Sequence, residues 1–202
     1  MPAAFKACGV DYMLTQADGK AGGRYLLYRS MLHFFQNGGG ACYAVSVGDY
    51  TQGVEADKLA GGIEPLVKEQ EPTMVVIPEA VLLKQPDCIS VQQAMLAHCG
   101  ATMRNRVAVL DVWGGDRDRK HPDGDVIQIF HGALGINDLD FAAAYYPWLR
   151  TTLVQDKDVG HRNVANVPKL IELCTAELAL PATVDENTPA KIAQQFNAVH
   201  DI

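Results

Sequence analysis

The sequence lacks any segment with the properties of a membrane span or a signal peptide. Its longest apolar runs, residues 74–78 and 141–146, are far shorter than the ~20 residues that a helix needs to cross a bilayer. No basic region precedes an apolar one at the start of the chain. We therefore expect no membrane partner and take the cytoplasm as the default location.

Positive charge is also scarce. Lysine and arginine number 17 against 24 aspartates and glutamates, which gives a formal net charge of −7. The short basic cluster at residues 116–120 alternates with aspartate, so its local charge nearly cancels. Because binding to phosphate backbones requires clustered lysine and arginine, the composition argues against a nucleic-acid partner.

The cysteines form neither a disulfide framework nor a metal-binding pattern. There are five of them, an odd number, and no two are arranged as C-x-x-C. His98 and Cys99 come nearest to a ligand pair, but neighbours on a helix point about 100° apart. We expect buried, reduced thiols and neither a metal ion nor another cofactor. The cysteines are Cys8, Cys42, Cys88, Cys99 and Cys174.

Internal repeats and proline-rich or serine-rich linkers are absent as well, and 48% of the residues are hydrophobic. A single domain over residues 1–202, with a helical tail segment at residues 151–202, is the simplest prediction. Amphipathic stretches alternate with short apolar runs. These patterns predict helices over residues 23–37, 62–70, 90–103, 126–134, 167–180 and 188–198, and strands over residues 42–47, 74–77, 106–112 and 141–146.

The predicted strands are apolar at nearly every position, as expected when both faces of a sheet are covered. Helices between successive strands favour parallel pairing, because each crossover returns the chain to the same direction. We therefore predict an α/β fold, a three-layer domain in which helices flank a mostly parallel sheet of about four strands. Ser90 and Gln93 have the spacing of a capping box, which predicts that the third helix begins at Ser90.

Acidic residues follow three of the predicted strands, at the positions where α/β proteins usually bind ligands. They are Asp49, Glu79 and Asp111. A loop after the third strand adds further groups that could gather around Mg²⁺ or act as acid and base, as in a metal-dependent hydrolase. The members of this set are Asp111, Asp116, Asp118 and His121. Aspartates beside glycines also form ordinary turns, and we favour that interpretation.

Nucleotide-binding and nucleophile motifs are missing. The glycines at residues 38–40 follow a helix and precede a strand, which is the reverse of the order in a phosphate-binding loop. No G-x-S-x-G elbow occurs. We therefore assign no catalytic, cofactor-binding or metal-binding residue, and we predict that the chain is not an enzyme.

Three segments carry motifs that are specific in combination. They are FFQNGGGACYAVSV at residues 34–47, RVAVLDV at residues 106–112 and AAYYPWL at residues 143–149. In this order they resemble the FF-x-NGG-x-x-CYVV-x-V, R-x-A-I-L-D-V and AA-YYPWL stretches of contractile phage tail sheath proteins and of their relatives in R-type pyocins and extracellular contractile injection systems. The resemblance spans about residues 24–150. Trp113 departs from it, because the family often has proline there.

The resemblance implies a structural subunit of a contractile tail sheath, a component of a phage tail or phage-tail-like particle. Such a subunit assembles in the bacterial cytoplasm around an inner tube and contracts to drive the tube through a target envelope. The implied partners are other sheath subunits and the inner tube protein, with baseplate and tail terminator proteins at the ends of the tail. The alternative is a cytosolic α/β hydrolase that uses a divalent metal at the loop after the third strand.

Family members usually also carry an N-terminal arm and a C-terminal domain that join neighbouring subunits by adding strands to their sheets. A chain of 202 residues leaves little room for either. Without them, the shared domain supplies side-to-side contacts that must slide during contraction. We therefore expect the 202-residue chain to be mainly monomeric or weakly oligomeric at micromolar concentration.

Overall fold

The computed structural model of the chain describes residues 4–7, 10–13, 26–49, 53–153, 164 and 166–200. The chain divides into two compact units. The terminal unit comprises Met1–Gly22 and Val154–Ile202, and the central unit comprises Gly23–Leu153. Among the described residues, no helix is both long and apolar enough to cross a membrane. The central unit covers nearly the same residues as the resemblance to tail sheath proteins.

Helices and strands alternate along the central unit, and the terminal unit contributes a hairpin and two helices. The elements are β1 (Ala4–Ala7), β2 (Val10–Met13), α1 (Leu27–Gln36), α2 (Ala56–Gly61), β3 (Met74–Val76), α3 (Gln85–Ala97), β4 (Val107–Asp111), α4 (Val126–Leu134), β5 (Ala142–Tyr145), α5 (Val167–Glu177) and α6 (Ala190–His200). A π-helical segment, His98–Met103, prolongs α3.

In the terminal unit, β1 and β2 pair antiparallel with Ala4 opposite Met13. The sequence patterns did not predict these two strands. The two predicted helices after residue 166 are confirmed, with ends that differ from the prediction by at most three residues.

The central unit is built on a parallel sheet with the strand order β3-β4-β5. The predicted α/β class is therefore confirmed. Strands that follow one another in the chain are neighbours in the sheet, and α3 and α4 form the two connections between them. Because such crossovers are nearly always right-handed, a sheet with this strand order places both helices on the same face.

The core fills the space between that face of the sheet and the helices. Val75, Ala108 and Leu110 point into it, and Met95 of α3 and Phe130 of α4 pack against them. Alternate residues of a strand point to opposite faces, so the remaining strand side chains lie on the other side. Burial of a side chain such as Phe130 contributes about 2–3 kcal/mol to folding.

The other face of the sheet is partly exposed. Met74, Val76, Val107 and Tyr145 are exposed on it, whereas Val109 and Ala143 on the same face are half-buried, and we call it the open sheet face. The sequence predicted helices on both faces, and the part of the chain that the structure describes covers only one. That prediction came from the apolar composition of the strands. A strand face has the same composition whether it packs within its own chain or stays exposed.

The predicted strand at residues 42–47 is wrong. These residues lie outside regular secondary structure, and no described strand pairs with them. The run is held instead by side chains near its ends: the Tyr43 hydroxyl donates to Glu71 over 2.8 Å, and Val47 packs against Leu59 and its neighbours. The sheet consequently has three strands and not four. An apolar, β-branched run favours a strand only where a partner edge is in register with it.

Two helix predictions also need correction. α3 begins at Gln85 and not at Ser90, because Pro86 occupies its first turn, where a missing N–H costs nothing. The predicted helix at residues 62–70 is a short 3₁₀ turn, Glu64–Val67, which follows the unpredicted α2. The predicted helix at residues 126–134 is confirmed with the same bounds.

Candidate functional site

The four residues of the proposed metal site lie along one loop without converging. Asp111 ends β4 opposite Tyr145, and partial desolvation raises the pKa of its carboxyl group. Asp118 closes a turn by accepting the backbone N–H of Lys120 over 2.7 Å. In the described part of the chain, no group of three or more histidine, cysteine, aspartate or glutamate side chains is placed to hold a metal ion.

A cavity of about 370 Å³ lies beside this loop. The guanidinium of Arg117 stacks over the Trp113 ring at 5.1 Å from the ring centre. The same arginine lies 3.5 Å from Asp123, and His121 lies 3.4 Å from the same carboxylate. The charged groups that line the cavity therefore pair with one another. The indole N–H of Trp113 donates to the Leu83 carbonyl over 2.9 Å, so this residue holds the loop to the chain before α3.

The AAYYPWL segment ties β5 to the loop that follows β4. The Tyr146 hydroxyl donates to the carbonyl of Arg117 over 2.8 Å. The Trp148 indole N–H donates to the Val112 carbonyl over 2.9 Å, and its backbone N–H donates to Gly115 over 3.0 Å. The aromatic residues of this motif thus fix the loop by hydrogen bonds to its backbone.

The arginine that opens the RVAVLDV segment is buried at the start of β4. Arg106 donates to the carbonyl oxygens of Leu66 and Glu69 and to the side chain of Asn105. Its Nη1 also lies 3.3 Å from Nε2 of His98. A guanidinium can only donate, so Nε2 of His98 is the acceptor. Burial first and the Arg106 charge second lower the pKa of His98.

Glu79, one of the acidic residues after a strand, has a structural position. It is buried, and its Oε1 accepts the backbone N–H of Leu27 over 2.6 Å. Leu27 is the first residue of α1, where a backbone N–H has no partner inside the helix. A carboxylate there is favourable because it faces the positive end of the helix dipole. Asp49, the other such residue, is exposed.

Two of the thiols are buried, as the sequence predicted. Burial raises the pKa of Cys88 to about 12, with a further contribution from Asp111, and it raises the pKa of Cys99 to about 11 against an opposing effect of Arg106. Cys42 is exposed, which corrects the prediction that it lies in a core strand. Cys174 is half-buried, and the fifth cysteine, Cys8, lies outside the described residues.

Sequence reasoning did not foresee the roles of Arg106, Glu79 and Trp148. Arg106 directly precedes β4, and Glu79 and Trp148 each follow a strand by three residues, so nearness to a strand is the available signal. That position does not distinguish a residue that contacts a ligand from one that holds neighbouring backbone. His33 lies on the exposed surface of α1.

Comparison of the chain with models of known protein families gives no match. A search of curated proteins likewise gives no significant match. The features of the chain that point to a function are therefore the three motifs and their positions in the structure.

Proposed function

We propose that the chain is a structural subunit of a contractile tail sheath, which assembles with other copies around an inner tube. The observation that carries the proposal is the order of the three motifs, which all lie in the central unit. The second motif forms β4 with Arg106 at its start, and the third forms the end of β5 and the residues after it.

The motif side chains support this proposal by what they contact. Arg106, Tyr146 and Trp148 all donate to backbone carbonyl groups of the central unit. These hydrogen bonds stabilise the central unit. A sheath subunit needs this stability because it rotates against its neighbours without unfolding. Function then depends on the surfaces of the unit and requires no reactive group.

The alternative, a metal-dependent hydrolase, gains no specific observation from the described residues. Its four loop residues do not gather, and the lining charges of the adjacent cavity pair with one another. Addition of Mg²⁺ or Mn²⁺ distinguishes the two functions. A metal that binds only the folded state at 100 times its dissociation constant would stabilise it by about 2.7 kcal/mol. The sheath proposal predicts no change in melting temperature.

Electron microscopy tests the proposed function directly. Two proteins are compared: the 202-residue chain, and the same chain extended at both ends with the arm and C-terminal sequences of a tail sheath protein. We expect light scattering and negative-stain images to show small particles for the first and long tubes of uniform width for the second. Failure of the extended chain to form tubes at any salt concentration would contradict the proposal.

A further inference from the structure

The first motif contains an asparagine–glycine pair at the end of α1. Asn37 and Gly38 form the only such pair in the sequence, and both residues are exposed. Nothing lies within 4 Å of the position that a Cβ atom would take at Gly38, so the space beside the pair is open. Asparagine is a thermolabile residue. A following glycine increases its reactivity, because no Cβ atom obstructs the glycine nitrogen and the glycine backbone rotates readily.

The backbone at this pair forms a Schellman motif, a common way to end a helix. The N–H of Gly38 donates to the Phe35 carbonyl over 3.2 Å, and the N–H of Gly39 donates to the Phe34 carbonyl over 2.9 Å. Gly38 has a φ of +87°, in the left-handed region that the motif requires and that glycine adopts at little cost. The nitrogen of Gly38 is therefore bonded to the last turn of α1.

The side chain of Asn37 is bonded to the same turn. Its Nδ2 donates to the His33 carbonyl over 2.8 Å and lies 3.3 Å from Nδ1 of the same histidine. The amide nitrogen of an asparagine can only donate, so Nδ1 is the acceptor in the second contact. Both hydrogens of the amide thus have an acceptor on His33, which fixes the side chain against the helix.

We propose that Asn37 is a site of spontaneous deamidation and that opening of the last turn of α1 controls the reaction. The nitrogen of Gly38 bonds to Cγ of Asn37, which closes a five-membered succinimide ring. The bond between Cγ and Nδ2 breaks, and Nδ2 leaves as ammonia with the proton that Gly38 loses. Water then opens the ring at either carbonyl and leaves aspartate or isoaspartate. The reaction does not depend on the proposed function.

The closed helix end slows the ring closure, because both reacting groups are bonded elsewhere. The reaction therefore takes place when the last turn is open. Opening of this turn costs little, since helix ends fray and no residue of α1 is buried. The same opening exposes the N–H of Gly38 to exchange with solvent. The rate of deamidation in the folded protein is thus the rate in the unfolded chain multiplied by the fraction of time that this turn is open.

Deamidation changes the end of α1 as well as its mass. An aspartate side chain at this position has no N–H to donate to the His33 carbonyl. Its negative charge also faces the negative end of the helix dipole, which is unfavourable. The last turn, which carries Phe34 and Phe35 of the first motif, is consequently open for more of the time after the reaction.

Peptide mapping by mass spectrometry tests the site in the folded 202-residue chain during incubation at neutral pH. We expect conversion of amide to acid to be about tenfold faster at Asn37 than at Asn137, an exposed asparagine followed by Asp138, whose Cβ obstructs the attack. Asn37→Gln is the matched control: it keeps an amide, but closure would require a six-membered ring, so conversion at this position should disappear. Conversion at Asn37 that is no faster than at Asn137 would overturn the site.

Comparison with the chain unfolded in urea tests control by the helix end. The ratio of the unfolded to the folded deamidation rate is expected to match the protection of the Gly38 N–H against deuterium exchange, within about threefold. Equal rates in the two states, with a protected Gly38 N–H, would overturn this control.

A variant with the charge of the product tests the effect on α1. Asn37→Asp is expected to increase deuterium exchange at the Gly38 N–H about fivefold, because it removes the amide donor and adds a charge at the helix end. Asn137→Asp adds the same charge outside α1 and should leave this exchange unchanged. Equal exchange in the two variants would overturn the effect of deamidation on the helix.

Discussion

Arg106 shows why the second motif begins with arginine. Arginine is almost never fully buried unless its donors are satisfied, and here carbonyl oxygens at Leu66 and Glu69 supply the acceptors. The planar guanidinium reaches several acceptors at once, which a lysine ammonium cannot do with the same geometry. Loss of this side chain would remove hydrogen bonds from a charged donor, each worth about 1.5–3 kcal/mol. The Leu66 carbonyl would still accept the backbone N–H of Glu69.

The lowered pKa of His98, caused by burial and by Arg106, predicts a pH-dependent stability. The folded pKa of His98 lies below its unfolded value of about 6.5, so the stabilisation is complete above that pH and is lost as the pH falls towards the folded pKa. We expect the melting temperature to fall between about pH 7.5 and pH 5, and His98→Gln to reduce the fall. Thermal melts across this range measure it. His33→Gln, at an exposed histidine, should keep the wild-type slope.

Gly115 is constrained by the third motif. A Cβ atom at this position would lie 2.5 Å from Cδ1 of Trp148 and 2.9 Å from the Val112 carbonyl oxygen. Gly115→Ala is therefore expected to lower the free energy of unfolding by about 1–3 kcal/mol, because backbone or the indole must move. Gly132→Ala is the matched control: it lies in α4 with open space around it, and it should stabilise by about 0.5–1 kcal/mol. Urea denaturation measures both, and equal effects would contradict the packing described.

At the scale of elements, the start of a helix is predictable where local chemistry alone sets it. α4 begins as predicted, and the Asp125 side chain accepts the backbone N–H of Ile127 at its start. α3 begins five residues before the expected capping box, so Ser90 lies within its second turn. Residues 42–47 have strand composition but no strand, because pairing depends on an edge elsewhere in the chain.

The attachment of α1 to Glu79 gives a prediction for this helix. Glu79→Ala removes the acceptor at its first N–H, so we expect the α1 amides to exchange with deuterium about tenfold faster, as loss of a cap worth about 1–2 kcal/mol implies. Amides of β4 should keep their wild-type rates. Glu55→Ala is the control, because Glu55 stands at the N-cap of α2 without a side-chain capping bond. Unchanged exchange in α1 would show that Glu79 does not hold the helix.

At the scale of the whole molecule, the alternation of apolar runs and helices predicted the class and the parallel direction of the sheet. It could not predict which face stays open, because that depends on strand order and on the hand of the crossovers together. The acidic loop residues were singled out by their position after β4. Residues that follow strands at one edge of a sheet lie in the same region, but their side chains need not converge. Only the structure shows that these do not converge on a metal site.

The central claim, that the chain is a sheath subunit which assembles through its folded surface, is tested most directly by cryo-electron microscopy of the tubes formed by the extended chain. The expected result is hollow tubes whose wall repeats the folded central unit. The contradictory result is a solid fibril with the repeat of about 4.7–4.8 Å typical of stacked cross-β strands. Such fibrils would mean that exposed strand edges aggregate and that the folded unit is not what assembles.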